Sequence, residues 1–249
     1  MPDIEIMNDK IISTLTSECV NRLHTEGGCF LIDKPLDWTS FDVVNKLRFS
    51  LKRLLNDKKL KVGHAGTLDP LATGLLIVCI GKMTKQIDNF MGLPKTYTGT
   101  MRLGATTPSY DKETPEDAHY PTEHITPELT EQARQTFIGD IAQMPPMYSA
   151  IKKDGKALYE LARQGKTIAV EPRNVSIQQF DIQQVTHNDF EFYVKCSKGT
   201  YIRSLAYDFG KACQSGGYLT ALRRTAIGEF QIENAWNLDN LIEKLAEHM

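Results

Sequence analysis

An α+β fold is what this sequence predicts, and three observations carry the expectation. Segments of strand character interleave with segments of helical spacing, without the regular strand–helix–strand rhythm of a doubly wound protein. Two stretches, KTYTGTMRLG at 95–104 and FEFYVKC at 190–196, alternate apolar and polar residues as half-buried strands do. A third, Leu75-Leu76-Ile77-Val78-Cys79-Ile80, is a short apolar run closed by Gly81, the pattern of a strand buried on both faces. No internal repeat is evident and no linker divides the 249 residues, so a single domain is expected.

Taken in order, residues 1–26 have weak periodicity and read as an extension or a peripheral helix. CFLID at 29–33 reads as a strand. Thr39 or Ser40 caps a helix in which Val43, Val44, Leu47, Leu51, Leu54 and Leu55 recur at helical spacing. The flexible turn Gly63-His64-Ala65-Gly66 leads to Asp69-Pro70, where proline fixes the chain as it enters the apolar strand. Residues 82–92 suggest a short helix, and in the strand at 95–104 Tyr97, Met101 and Leu103 share one face. The polar stretch 105–125, with three prolines, reads as a long surface loop. Thr126-Pro127 opens a helix to about Phe137 in the usual cap-then-proline manner. QMPPMYSAIK reads as extended, and GKALYELARQGK as a short helix between glycines. After the strand 190–196, helical spacing through Ile202, Leu205, Ala206 and Phe209 puts Tyr201 and Arg203 at a strand-to-helix junction.

Composition excludes several function classes. No apolar stretch has transmembrane length, and MPDIEIMNDKIIS lacks a basic region followed by an apolar one, so a cytoplasmic protein is expected. Five widely spaced cysteines without a C-x-x-C pair argue against a disulfide framework or zinc ribbon. The six histidines form neither H-E-x-x-H nor a zinc deaminase signature, and Gly81-Lys82 lacks the upstream glycine of a phosphate loop.

The net charge of −2 conceals strong segregation. Residues 46–62 carry seven basic side chains against Asp57 alone, and residues 195–224 carry six against Asp208 alone. By contrast, 111–131 holds seven carboxylates against Lys112. Each basic run is a solvated helix face or a phosphate-facing surface.

Asp69 is the lone carboxylate of its neighbourhood, the nearest in sequence being Asp57 and Asp88. Asp before Pro is among the commonest turn signals, so the local reading is a turn former that bonds nearby N–H groups. A glycosidase pair is not visible.

Several stretches together resemble the TruB-type bacterial tRNA pseudouridine synthases, which act on uridine 55 of the T arm. They are Phe30-Leu31-Ile32-Asp33-Lys34-Pro35, GHAGTLDPLATGLL, KTYTGTMRLG, QMPPMYSAIK, ALYELARQGK, CSKGTYIRSLAYDFG and ALRRTAIGEF, in family order from about residue 27 to 230. The resemblance implies a mixed, mostly antiparallel sheet with flanking helices and RNA-gripping loops, the pseudouridine synthase fold. It implies that Asp69 is the catalytic aspartate, that Tyr97 stacks on the target uracil, and that Tyr201 with Arg203 lines the pocket and holds the aspartate. It further implies that His64 contacts the flipped nucleotides and Leu222 forms an apolar wall. No cofactor and no metal are implied. The implied partner is the tRNA T arm, with no membrane and no obligate protein partner, and the chain is expected to be a monomer.

The expected organisation is an extension at 1–26 and a catalytic domain at 27–249. About 19 residues follow Phe230, so the carboxy-terminal RNA-binding module of many relatives is not expected. One carboxylate suits an isomerisation that breaks N1–C1′ and makes C5–C1′ without redox change, whether it attacks covalently or moves a proton. Two other classes fit part of the pattern: a non-catalytic RNA-binding module, and a nucleoside or glycoside hydrolase that releases free base.

Overall fold

The computed structural model describes residues 8–153, 155–166 and 168–249. Their contacts fall into two compact units, one comprising the chain up to Lys95 with Arg223–Met249, the other Thr96–Leu222. The first unit begins with helix α1 (Ser17–Thr25) and strand β1 (Gly28–Lys34). Helix α2 (Ser40–Leu54) starts at a capping box: Thr39 Oγ1 accepts from the Asp42 N–H at 3.0 Å, and Asp42 Oδ2 accepts from the Thr39 N–H at 2.9 Å. Strands β2 (Val62–His64) and β3 (Ala72–Ile80) follow. The short helix expected at 82–92 is a 3₁₀ turn, Gly81–Gln86, running into α3 (Ile87–Gly92).

The second unit holds most of β4 (Lys95–Leu103), then β5 (Ala105–Thr106), β6 (Ala118–His119) and α4 (Pro127–Gln135). Next come β7 (Gly139–Gln143), the short pair β8 (Lys152–Lys153) and β9 (Lys156–Ala157), and α5 (Leu158–Ala162). The chain continues through β10 (Arg173–Gln184), β11 (Asp189–Cys196), α6 (Ile202–Ala212) and β12 (Gly217–Ile227). The sheet of this unit has the order β12-β4-β11-β10-β7. Its core is aromatic: Phe180 and Phe209 meet edge-on with centroids 5.8 Å apart, and Phe137, Phe190 and Phe192 close around them. The stretch 105–125 is not the fully solvated loop its polarity suggests: β5 pairs β6, and Thr107, Ser109 and Asp111 in the connecting segment are buried.

β12 passes from one unit to the other, and the first unit ends with β13 (Phe230–Gln231), β14 (Trp236–Asn237) and α7 (Leu238–Glu247). Here the strand order is β14-β1-β3-β12, with β2 added to β3 and β13 to β12. β1 and β3 are antiparallel from Gly28↔Ile80 to Lys34↔Gly74, whereas β1 and β14 are parallel. Both faces of β1 and β3 are covered, which is why β3 reads as a continuous apolar run. Phe30, Ile32, Leu76, Val78 and Ile80 pack under α2 and α7, while Leu31, Leu75 and Ile77 pack with Phe90, Ile227 and Phe230. The stretch read as a peripheral extension enters this core from residue 11 onward. Ile11 bridges to Cys29, Leu23 of α1 is fully buried, and the Trp236 indole N–H donates to the Ile12 carbonyl at 2.8 Å.

Candidate active site

Asp69 is half-buried in the turn between β2 and β3, with its carbonyl accepting from the Ala72 N–H at 3.0 Å. That turn bond is what the local sequence predicts, but the flanking residues are held far more firmly than a surface turn needs. On one side, buried Ser40 at the start of α2 accepts from the Leu68 N–H at 2.8 Å and its hydroxyl lies 3.2 Å from the Leu68 carbonyl. On the other, the Pro70 carbonyl accepts from the Asp37 N–H at 2.9 Å and from the Lys34 ammonium at 3.3 Å. Lys34, wholly buried at the end of β1, spends its remaining donors on the carbonyls of Pro35 and Trp38 at 2.8 and 2.6 Å.

A third brace is Arg224, whose local setting beside Arg223 suggested an exposed basic run. Its guanidinium is 1 % exposed and donates to the carbonyls of Leu75 and Gly66 at 2.7 and 3.0 Å, tying the glycine-rich turn to β3. Gly74, at φ +106°, lets the backbones meet: a Cβ there would lie 2.3 Å from the Arg224 carbonyl oxygen. Sequence reasoning missed Lys34, Ser40 and Arg224 as supports of Asp69, since a lysine beside a proline and paired arginines read locally as surface charge.

The electrostatics of this loop are asymmetric. Burial pulls the Lys34 ammonium down to about 8 from 10.5, against the opposing pull of the Asp69, Asp37 and Asp42 carboxylates, and Arg224 adds to the fall. His64, in β2, is pushed below its ordinary value by burial and by Arg224, so the neutral imidazole prevails at neutral pH. Its Nδ1 is buried and has no hydrogen-bond partner among the described residues. Replacing Ser40 by alanine removes the clamp on Leu68; the expected result is a stability loss of about 1 kcal/mol and a lower turnover at unchanged substrate KM, read by thermal melting and steady-state kinetics.

Tyr97, Tyr201, Arg203 and Leu222 belong to the second unit, and His64 and Asp69 to the first. Tyr97 is buried on the same face of β4 as Met101 and Leu103, as the alternation predicts. Gly99 between them lies against β12: a Cβ there would come within 2.3 Å of the Ala221 carbonyl. Half-buried Tyr201 is the N-cap of α6 at the predicted strand-to-helix junction. It is held there by Gln143, which the sequence did not single out. The Gln143 amide accepts from the Tyr201 N–H at 2.8 Å and donates to the Tyr201 carbonyl at 3.0 Å. Ser204 Oγ adds a bond to the Met144 carbonyl at 2.7 Å.

Arg203 is 4 % exposed and ties three segments together: Nη1 donates to the Ser109 carbonyl at 3.0 Å, Nη2 donates to the Tyr148 carbonyl at 2.8 Å, and Nε lies 3.8 Å from the buried Asp111 carboxylate. Asp111, one of the seven carboxylates of 111–131, is buried against Arg203. Leu222 is half-buried at the last position of the unit.

The second basic run, 195–224, therefore does not form one phosphate-facing surface. Lys195, Lys198 and Lys211 are exposed, but Arg203 and Arg224 are internal and Arg223 forms a bidentate pair with Asp33 at 2.7 and 3.0 Å. The first run keeps its cations at or near the surface.

Residues 52–202 match the TruB family pseudouridylate synthase N-terminal domain. The tRNA pseudouridine synthase B of Flavobacterium johnsoniae is 54% identical over 223 residues, 89% of this chain and 97% of that protein. That of Phocaeicola vulgatus is 50% identical over 220 residues, 88% of this chain and 94% of that protein. Among solved structures, a chain of a Cbf5-Nop10-Gar1 complex superposes with a TM-score of 0.65 at 26% identity, covering 90% of this chain and 56% of that one. A chain of an H/ACA RNP bound to a substrate RNA containing 2′-deoxyuridine gives 0.62 at 26% identity, covering 87% and 52%. This chain thus spans about half the length of those solved chains. With its mixed, mostly antiparallel sheet, its braced Asp69 loop and close relatives along nearly their whole length, the chain belongs to the TruB family of pseudouridylate synthases.

Proposed function

We propose that this protein isomerises uridine 55 in the T arm of tRNA to pseudouridine, with Asp69 as the catalytic carboxylate. The observation that supports this most is the Asp69 loop itself: one carboxylate, in a family of pseudouridylate synthases, on a turn pinned by Ser40, Lys34 and Arg224. Rigid placement is what a single-carboxylate reaction requires, since the group must meet the reacting sugar and base without reorganising. The relatives' names specify tRNA, and the basic face of α2 suits a polyanionic substrate.

The reaction breaks the N1–C1′ bond, turns the uracil, and joins C5 to C1′, with the C5 proton lost in return for one gained at N1. Asp69 supports it as nucleophile or as proton acceptor. The target base has to leave its stack, which costs a few kcal/mol, and Tyr97 offsets part of that by stacking, about 1–3 kcal/mol per base. Tyr201 and Leu222 meet the target uracil, Arg203 braces the Tyr201 end of α6 against the Ser109 and Tyr148 carbonyls, and His64 meets the displaced nucleotides. Residues 27–249 carry the catalytic residues, the segment from Ile11 to Leu23 packs into the core of the first unit, and the protein works as a cytoplasmic monomer without an obligate protein partner. No helix among the described residues is long and apolar enough to cross a membrane.

Incubation with a T-arm hairpin carrying labelled uridine, followed by nucleoside analysis, tests the reading. Pseudouridine is expected; unchanged uridine points to a binding module, and free uracil to a hydrolase. Because the chemistry is redox-neutral and loses no group, conversion is expected to survive exhaustive chelation and dialysis. Complete loss of conversion, restored by a divalent ion with the RNA still folded, contradicts the mechanism.

A further inference from the structure

Helix α2 presents two unlike faces. Val43, Val44, Leu47 and Leu51 are buried in the core, and at 100° per residue the opposite face carries Phe41, Phe49, Lys52 and Arg53, flanked by Lys46 and Arg48. Phe49 is 73% exposed and Phe41 59%. An isolated exposed phenylalanine needs no explanation, but two on one helix face with four cations around them form a composed surface. The Arg48 guanidinium lies over the Phe41 ring, 5.8 Å from its centroid, and donates to the Asn45 side-chain oxygen.

None of the four cations has a carboxylate within ion-pair distance among the described residues. A merely solvated helix face carries charges of both signs at i,i+4 spacing. The single acid of this helix, Asp42, is committed to the Thr39 cap. The Phe49 ring left in water, and the Phe41 ring beneath Arg48, among cations without carboxylate partners match one ligand chemistry well: phosphates for the cations, unpaired bases for the rings. A membrane surface fits poorly, because the apolar face that would insert is already buried in the core. A protein interface fits poorly as well, since lysine is depleted at such contacts.

We infer that the Phe41/Phe49 face of α2 is an RNA-contact platform, outside the catalytic turn, that stacks an unpaired nucleotide of the substrate and neutralises the phosphates beside it. The inference rests on the tRNA substrate proposed above. Ser40 Oγ ties the start of α2 to Leu68, next to Asp69. Phe49 lies nine residues further on, about 13 Å along the axis, so the nucleotide it stacks is not the reacting one. The platform therefore acts on binding and leaves chemistry alone.

The test uses the full chain and an unmodified tRNA transcript. Phe49→Ala is expected to raise Kd for the transcript roughly 5- to 100-fold with kcat at saturation unchanged, and Phe49→Leu to behave like it, whereas Phe49→Trp retains affinity. Lys52→Gln is expected to lower the slope of log Kobs against log salt by about one. Because Phe49 is exposed and Lys52 is only half-buried, melting temperatures stay near the wild-type value. Wild-type affinity and salt slope in Phe49→Ala and Lys52→Gln overturn the inference, as does full affinity in Phe49→Leu. So does binding of the wild type to phosphatidylglycerol vesicles that Phe49→Ala abolishes while tRNA affinity stays intact. Failure of the wild type to form pseudouridine strikes the proposed reaction instead, and the binding series still decides the platform.

Discussion

Asp69→Asn is expected to reduce single-turnover conversion of a T-arm substrate by at least about 10³-fold, roughly 4 kcal/mol of barrier, while melting temperature and RNA affinity stay near wild type. Asparagine has the same shape and is as good a turn residue. Several bonds that hold the segment come from neighbours: Ser40 to Leu68, Lys34 and Asp37 to Pro70, and the Asp69 carbonyl to Ala72. None of these needs the carboxylate. What the substitution removes is the charge and the nucleophilic oxygen, so the loss falls on the chemical step. If Asp69 were only a turn former, asparagine would restore its function and the rate would stay within about tenfold of wild type, 1.4 kcal/mol. Rapid-quench conversion by purified protein, with circular dichroism as the check on folding, separates the two.

Much of the fold was legible because its signals are local. The Thr39 cap, the helical stripe from Val43 to Leu51, the alternation around Tyr97 and the apolar run of β3 each appear in the structure within a few residues of the expected bounds. The 12-residue strand β10 was not anticipated, since RNVSIQQFDIQQ is polar and its alternation breaks where the register with β11 shifts between Ile177 and Gln179. The two-unit packing was illegible for another reason: the chain returns to the first unit only at Arg223, and no composition change marks the crossing.

The candidate site divides along the same line. Asp69, His64 and Tyr97 sit in motifs whose spacing can be quoted from the sequence. Lys34 and Arg224, which brace the Asp69 loop, Gln143, which holds Tyr201, and Asp111, which faces Arg203, have side chains that local rules place in water. They are buried because distant backbone carbonyls or a distant residue accept their protons, or, for Asp111, because Arg203 faces it. A polar side chain that is internal only through tertiary partners leaves no periodic trace.

The Lys34 ammonium carries the second large prediction. Lys34→Met is expected to lower kcat about 10²-fold with KM little changed, because a misplacement of the order of 1 Å in a reacting group costs that much. The substitution releases the Pro70 carbonyl next to Asp69, along with those of Pro35 and Trp38, and removes the positive charge facing the Asp69, Asp37 and Asp42 carboxylates. Stability is expected to change less than activity, since the lost hydrogen bonds are offset by no longer burying a charge. The pH dependence identifies the cause. With the folded value near 8 and the ordinary value at 10.5, the unfolded chain holds the proton across that interval and the folded chain does not. This group's contribution to stability therefore rises with pH between about 8 and 10.5. Wild-type kcat is expected to move the other way, falling as pH climbs past about 8, because the deprotonated amine has two donors for three carbonyls and no charge to hold the loop. An alkaline decline in rate without a decline in melting temperature, absent from the already impaired Lys34→Met protein, assigns the limb to Lys34; a wild-type profile flat from pH 7 to 9 removes the ammonium from the account of how Asp69 is held.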